Sequence, residues 1–344
     1  MKNDNQLFRR LIQIIILFIV LSIGIDFYRF VKYCETGGAF SFIERPPGVE
    51  AFLPISSLIS LKYYFLSGEI NPIHPAGLII FVAILVISIL FKRSFCGWMC
   101  LFGFLSEMLW KTGEKIFGKN LKFPVWLDSI LRSIKYLILL FFIWAIVINM
   151  DGTALREFIY SPYNRIADIK MLKFFTDIFL LTIIVLSILI VMSGLVKNFW
   201  CRYLCPYGAL LGFCGLFSPL KIMRNERNCT GCKKCTRECP SHITVHKQKR
   251  IHSDECMACL RCVDVFPVKN TLNFKLKKRR IKLTGYALVL LLLIIYASFV
   301  GIGMITGNWE NSITVHEYVE RTQDLDNLVY DHNRGKVVTD ESDY

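Results

Sequence analysis

Charge is what this sequence has little of: 20% of its 344 residues are Asp, Glu, Lys or Arg, 54% are hydrophobic, and the mean hydropathy is +0.45. Soluble domains carry nearer 25% charge and balance their apolar residues around one core, so an ordinary cytosolic enzyme is excluded. Acids are scarcer than bases, 27 against 41, for a net charge of +14. Taken alone, that excess suits a nucleic-acid surface. A signal-peptide cleavage site is lacking too. Behind the first apolar run stand Asp26, Tyr28 and Arg29 where small residues would be needed, so the run is expected to remain as a membrane helix. No covalent catalytic constellation is visible either.

Long apolar runs are what the chain has instead. Five are long enough to cross about 30 Å of hydrocarbon as helices: Leu11 to Tyr28, Pro75 to Phe91, Leu131 to Met150, Ile178 to Val196 and Leu283 to Ile305. The third requires the stems of Arg132 and Lys135 to snorkel to the interface. A sixth stretch, Ala51 to Leu66, holds Pro54, Lys62 and several serines and reads as an interfacial or re-entrant helix.

Charge placement supports that count. Residues 197–282 carry nineteen basic side chains against five acids, and a second basic loop holds Lys92, Arg93, Lys111, Lys115, Lys119 and Lys122. Five spans and a cytoplasmic N-terminus with Lys2, Arg9 and Arg10 put both segments inside, as the positive-inside rule requires. The tail from Gly307, with nine acids and three bases, then falls outside. The expected divisions are an N-terminal arm and first span (1–33), an outer loop (34–74), spans two to four (75–196), a cytoplasmic domain (197–281), the last span (282–306) and the outer tail (307–344). Basic charge thus reports topology and contact with the inner leaflet of a bacterial-type plasma membrane, each residue contributing about 1 kcal/mol, rather than nucleic acid.

Of thirteen cysteines, ten lie from Cys201 to Cys262. Disulfides staple distant segments of small secreted domains, whereas repeated close spacing lets thiolates converge on one metal centre. Cys229, Cys232, Cys235 and Cys239-Pro240 form the full C-x2-C-x2-C-x3-C-P run of a bacterial ferredoxin, in which three thiolates wrap one cluster and the fourth ligates its neighbour. A second copy, Cys256, Cys259 and Cys262, has Phe266-Pro267 where its last cysteine belongs. Cys239 therefore completes the 4Fe-4S site of Cys256, Cys259 and Cys262. The site of Cys229, Cys232 and Cys235 lacks a fourth thiolate. Three outcomes stay open for it: a 3Fe-4S cluster, a 4Fe-4S cluster with a foreign or open ligand, or no stable cluster. Cys214 and the membrane-edge thiols are the candidates to substitute. A zinc ribbon would use two well-separated CxxC pairs instead of this nested spacing.

With these runs the chain resembles the membrane-bound polyferredoxin-like group, the NosR/NapH-type 4Fe-4S proteins. The resemblance extends to Cys96-Gly-Trp-Met-Cys100, to Cys201-Arg-Tyr-Leu-Cys205-Pro206, to Arg45 through Ile55 and to Pro72 through Leu78. The group has proline after the first C-x3-C as well; here Leu101 stands there. The resemblance implies a polytopic, mainly α membrane bundle with an inserted ferredoxin-like α+β domain. It also implies electron transfer between the membrane and a redox partner.

Cysteines four apart on a helix share a face about 5–6 Å apart, so Cys96, Cys100, Cys201 and Cys205 are permitted to form a four-thiolate site or two redox-active dithiols. The alternative is packing at helix ends, with Trp98, Trp200 and Tyr203 as interface anchors. Cys34 and Cys214 read as packing residues. His74, between Pro72 and Pro75, is a candidate quinone contact or a helix start. Arg45 and Glu50 are expected to pair; Asp26 and Asp177 sit near span ends, and His316 and His332 in an exposed tail.

The reading is a membrane iron-sulfur protein carrying single electrons between a membrane carrier, a quinol, and a partner such as an acidic ferredoxin or flavodoxin. Alternatives are a maturation factor that reduces metal or thiols for an extracytoplasmic enzyme, and a membrane-tethered redox sensor. Nothing in the sequence sets the oligomeric state.

Overall fold

A computed structural model describes residues 4–265, 268, 271–276, 282–325 and 330. The protein is mainly helical. Helix α1 (Asp4–Glu35) is followed by a 3-10 turn (Pro47–Phe52), α2 (Pro54–Ser67), α3 (Pro75–Phe91), α4 (Ser94–Trp98) and α5 (Leu101–Phe117). Next come α6 (Val125–Ile143) with its π-helical extension (Trp144–Asn149), α7 (Gly152–Tyr160), α8 (Pro162–Arg165), α9 (Ala167–Thr176) and α10 (Leu180–Leu195). A π-helical turn (Trp200–Leu204) leads into α11 (Pro206–Leu216), β1 (Leu220–Arg224), α12 (Lys234–Arg237) and α13 (Arg261–Asp264). Strands β2 (Leu272–Leu276) and β3 (Lys282–Leu283) precede α14 (Gly285–Ile305) and α15 (Val315–Gln323).

Among the described residues, three helices are long and apolar enough to cross a membrane: residues 5–35 of α1, α6 with its π extension, and α14. Helices α9 and α10 qualify only as one pair bent by 80°, and α3, with 17 residues, is shorter than a full span. The expected fourth span, Ile178 to Val196, is occupied by α10 without a break, but at 16 residues α10 is too short to cross alone, and the turn at Asp177 to Phe179 joins it to α9. Burial separates the roles of these helices. Along α3, Ala76, Ile80, Phe81, Ala83, Ile84 and Ile87 are all buried, whereas α10 turns Leu181, Ile184, Ile188 and Val191 outward. So much exposed aliphatic surface is unfavourable against water and suits hydrocarbon.

The chain divides into two compact units. The first comprises residues 1–18, 83–140 and 183–296. Its core holds Trp98, Ile222, Leu260, Phe274, Leu288 and Leu292. A three-stranded antiparallel sheet, ordered β1-β2-β3, pairs Leu220 with Leu276 and Arg224 with Leu272. That register sets buried Ile222 opposite buried Phe274. Strand β1 precedes and β2 follows both cysteine runs, so their pairing brings together the two ends of the cysteine-rich segment. The third apolar run does not snorkel as expected: Lys135 is fully buried and pairs with Glu255, while Arg132 lies 3.3 Å from Asp128 one helical turn away.

The second unit comprises residues 19–82, 141–182 and 297–344, with a core around Phe30, Val49, Ile159, Ile169 and Tyr318. The expected Arg45–Glu50 pair is present at 3.0 Å, and Arg45 Nε also reaches Asp168 Oδ2 at 2.7 Å. Pro54 starts α2, as a proline at the first helical turn does. Lys62 donates to the carbonyls of Ile146 (3.1 Å) and Met150, acceptors left over where α6 loosens into its π turn. Asn71 Nδ2 donates to Ser60 Oγ at 2.7 Å, so the serines of this stretch pack inside the protein. His74 is buried, with Nε2 2.8 Å from the Asn164 carbonyl and Nδ1 3.6 Å from Glu50 Oε1. Cys34 is buried, Asp177 and His316 are exposed, and His332 lies outside the described residues.

Candidate metal centre

Two ferredoxin-type runs fold into copies of one loop. In the first, Gly231 (φ 71°) and Lys233 (φ 58°) bracket Cys232; in the second, Ala258 (φ 45°) and Leu260 (φ 59°) bracket Cys259. Each loop ends in a four-residue helix, α12 carrying Cys235 and α13 carrying Cys262. Left-handed conformations cost a non-glycine residue roughly 1–2 kcal/mol, so three such positions are retained for a purpose. Alternating right- and left-handed residues turn successive backbone N–H groups toward one point, the concave nest that receives anionic cluster sulfur.

Cys239, Cys256, Cys259 and Cys262 all line one cavity, whose remaining wall includes Ile222, Ile243, Val245 and Ile251. Burial pushes the Cys239 thiol up to about 12. Bare, it stays protonated, so metal binding there must release a proton. Burial pushes the Cys259 thiol up as well, only partly offset by Arg9 and Arg261, which lie near it and favour its anionic form. Four thiols, an apolar wall, an amide nest and two cations fit a 4Fe-4S cluster.

The triad is more open. Cys235 is buried, whereas Cys229 and Cys232 are part-exposed, and their thiols are drawn below the usual range by the backbone N–H groups of Gly231 and Lys234 respectively. Cys235 also lies within electrostatic reach of Cys262, so the two loops adjoin. Phe266 lies outside the described residues.

The C-x3-C pairs depart from expectation. Neither occupies one continuous helix: Cys96 lies in α4 and Cys100 caps α5, while Cys201 lies in the π-helical turn and Cys205 caps α11. Spacing on a single helix face therefore does not set their separation. Convergence does occur, by packing. Helix α5 contacts the π turn, and Gly113 of α5 meets α10 so closely that a Cβ there would stand 1.9 Å from the Gly194 carbonyl. Cys201 lies within electrostatic reach of Cys96, Cys100 and Cys205, and Cys100 of Cys205. Among the described residues no three His, Cys, Asp or Glu side chains converge as a single metal ion requires.

Trp98 and Tyr203 prove not to be interface anchors. Trp98 is buried and donates from Nε1 to the Ala258 carbonyl at 3.1 Å, and Tyr203 donates to Asp128 Oδ1 at 2.6 Å. Gly97 lies against the same ferredoxin loop: a Cβ on it would stand 2.7 Å from the Met257 carbonyl and 3.6 Å from Cys259 Cβ. The first C-x3-C thus forms the seat of the buried cluster loop, a role that no spacing rule in the sequence announces.

Arg9 joins this seat to α5. Its Nη1 donates to the Gly97 carbonyl at 3.0 Å and its Nη2 pairs with Glu107 at 2.7 Å. Burial raises the Glu107 carboxyl, but Arg9, Lys111 and Arg261 outweigh it and hold the group at about 2. A depressed carboxylate pKa stabilises the fold above its unfolded value, near 4.5, and that stability is lost as pH falls toward 2. Glu107→Gln is therefore expected to destabilise by on the order of 3 kcal/mol at pH 7 and progressively less below pH 4.5. Denaturation of both proteins in detergent across that range measures it; a pH-independent gap would contradict the pairing.

Basic charge is partly internal. Arg202 pairs with Asp128 at 2.8 Å, Lys197 with Glu114 at 3.1 Å, and Lys221 donates to the Leu216 carbonyl at 2.8 Å. Arg227, Lys233, Lys234, Arg237 and Lys247 are exposed on the domain that holds the open triad.

Comparison with known proteins agrees with this architecture. A family described as a 4Fe-4S binding domain matches residues 73–124 and 178–224, and a 4Fe-4S dicluster domain matches residues 221–267. The putative electron transport protein YccM of Escherichia coli (strain K12) is 40% identical over 315 residues, covering 90% of this chain and 88% of that one. The ferredoxin-type protein NapH of the same organism is 25% identical over 205 residues, 56% of this chain and 67% of NapH. The regulatory protein NosR of Pseudomonas aeruginosa is 29% identical over 184 residues, 50% of this chain and 23% of NosR. No solved structure matches. With cluster-type loops, apolar helices and a relative alike over nearly its whole length, the chain belongs to the membrane ferredoxin-type family that includes NosR and NapH.

Proposed function

We propose that this protein carries single electrons between a soluble redox partner and a membrane carrier of the quinol type. The observation that carries the reading is the graded exposure of the two thiol sets: an open triad on a basic surface adjoins a four-thiol cavity closed off by aliphatic side chains. Iron-sulfur clusters bound there would supply one-electron chemistry over a wide range of potentials. Cys229, Cys232 and Cys235 would hold the centre nearest the partner, and Cys239, Cys256, Cys259 and Cys262 the buried one. The aliphatic wall excludes water from the buried site, while Arg9 and Arg261 offset its negative charge. Both effects tune the potential that the thiolates impose.

Lys233, Lys234 and Arg237 would steer an acidic partner such as a ferredoxin or flavodoxin to the open triad. Reversing all three to Glu is expected to slow reduction by such a partner at least about 10-fold at low ionic strength and to flatten the salt dependence. Stopped-flow reduction at several salt concentrations reads both effects. A wild-type rate indifferent to salt would remove the docking role while leaving the cluster sites in place.

A further inference from the structure

We propose that a cavity beside Arg45 is the head-group site of a membrane quinol. The proposal rests on the electron-transfer reading above and gives its lipid-borne carrier a place on the chain. The cavity holds about 260 Å³, and its walls include Phe30, Phe42, Glu44, Arg45, Glu310 and Tyr318. All six belong to the second unit. Pockets for whole organic ligands run from about 300 Å³ upward, so this space suits a substituted ring without a long tail.

Arg45 supplies the donor. Its side chain is 7% exposed; Nε donates to Asp168 Oδ2 at 2.7 Å and Nη1 to Glu50 Oε1 at 3.0 Å. Nη2 is buried without a hydrogen-bond partner among the described residues. The guanidinium is not free to turn, because its carboxylate partners are themselves fixed. Glu50 Oε2 accepts from the Gly77 N–H at 2.8 Å, and Asp168 Oδ1 from the Ile169 N–H at 2.9 Å. The Tyr318 ring lies 5.8 Å from the guanidinium carbon. A buried donor left unpaired is unfavourable, and a guanidinium does not shed its proton. An acceptor atom brought by a ligand would pair it.

Charge selects the ligand. Two buried carboxylates, Glu50 and Asp168, already face the single guanidinium, and the cavity wall adds Glu44 and Glu310. Even with His74, 3.6 Å from Glu50, counted as a cation, these acids outnumber the bases. An anion is therefore repelled, while a metal cation or an ammonium group has no lone pair to offer Nη2. What fits is a neutral molecule with an acceptor oxygen for Nη2 and a hydroxyl hydrogen for a carboxylate. A quinol carries both, and its quinone form keeps the acceptor. The Tyr318 hydroxyl is already engaged, accepting from Asn311 Nδ2 at 2.8 Å and standing 3.4 Å from Asp168 Oδ2. Its ring, with those of Phe30 and Phe42, offers aromatic walls to a flat ligand.

Position in the chain agrees. Phe30 lies five residues before the end of α1 and Glu310 five residues after the end of α14, two helices long enough to cross a membrane. The ends of such helices stand at the depth of the lipid head groups, where the polar ring of a lipid-borne carrier resides. Phe42 is 52% exposed and gives the apolar tail a way out along the cavity mouth.

The test uses full-length, iron-loaded protein in detergent, with a short-tailed azidoquinone as photoaffinity probe. Peptide mass spectrometry is expected to find the label between Phe40 and Pro47 or between Glu310 and Tyr318, and excess short-chain quinol to abolish it. Arg45→Lys keeps the charge that Glu50 and Asp168 face but loses the spare N–H of the fork. It is expected to weaken quinone binding about 10- to 100-fold, as loss of a hydrogen bond from a charged donor requires, with the paramagnetic signals of the clusters unchanged. Phe42→Ala, at an exposed wall position, is expected to weaken binding about 3- to 10-fold and decides the matter should the Arg45 variant fail to accumulate. Label confined to other segments, or unchanged affinity in the variants, would overturn this site alone, provided that quinol still reduces the wild-type clusters. Stronger protection by benzoate than by quinol would also overturn it, since the site would then take an anion. Wild-type clusters that a soluble donor reduces but short-chain quinol does not would overturn the membrane-carrier reading together with the site.

Discussion

Cys239→Ser is expected to empty the buried cluster site while leaving the protein in the membrane, with iron content falling and electron transfer dropping by more than about 100-fold. The size follows from position. Losing a residue that merely supports a metal ligand costs 10–100-fold in affinity or activity, and Cys239 is itself one of four thiols on the cavity wall. Serine oxygen is a harder and less readily ionised donor than thiolate sulfur, and iron in clusters prefers the soft ligand. Cys239 also belongs by sequence to the first run but by position to the second site, since it lines the cavity with Cys256, Cys259 and Cys262. The substitution therefore reveals which site the residue serves. Loss of the buried cluster's paramagnetic signal, with the signal of the open triad retained, is the expected pattern. The reverse pattern would show that the ligands are not exchanged between the runs.

The grouping of Cys239 with the second run along one cavity wall is what ferredoxin spacing leads one to expect, since that spacing is a local code: two residues between cysteines, three before the one that turns away. The seat beneath the cluster was not legible. Gly97 and Trp98 read as the interior of a C-x3-C pair at a membrane edge, and only the folded chain brings them against Met257, Ala258 and Cys259. The same limit explains the error over the thiol pairs. A C-x3-C spacing implies one helix face if the helix is continuous, but a break before Cys100 and a π turn around Cys201 decouple spacing from geometry. Hydropathy finds the apolar stretches and misses their environments, since a buried helix such as α3 and an outward-facing one such as α10 are both almost wholly apolar. By sequence alone, Lys62 and Lys135 are costs to a membrane helix. Each instead meets a partner from elsewhere in its own unit, the Ile146 and Met150 carbonyls and the Glu255 carboxylate, which no window along the sequence reveals.

Glu255 is the point at which that hidden pairing has its largest consequence for stability. Its carboxylate, 3% exposed, lies 3.4 Å from Arg93 Nη1 and pairs with Lys135 Nζ; its backbone carbonyl accepts from Ser241 Oγ at 2.9 Å. It immediately precedes Cys256, so the two buried cations hold the second cluster loop where it meets α4 and α6. Removing one partner of a buried pair leaves an uncompensated charge and costs about 3–5 kcal/mol. Glu255→Ala strands two cations at once and is expected to reach the upper part of that range. Glu255→Gln should recover part of the loss, because its amide oxygen accepts a hydrogen bond from Lys135 without neutralising it. Denaturant unfolding of detergent-solubilised protein measures the stability change, and iron retention under mild chelation reports the loop. The expected order for both is wild type, then Gln, then Ala. Should the Ala variant match wild type in stability while losing iron, Glu255 would act on the cluster loop alone and the buried cations would have to be balanced by other groups.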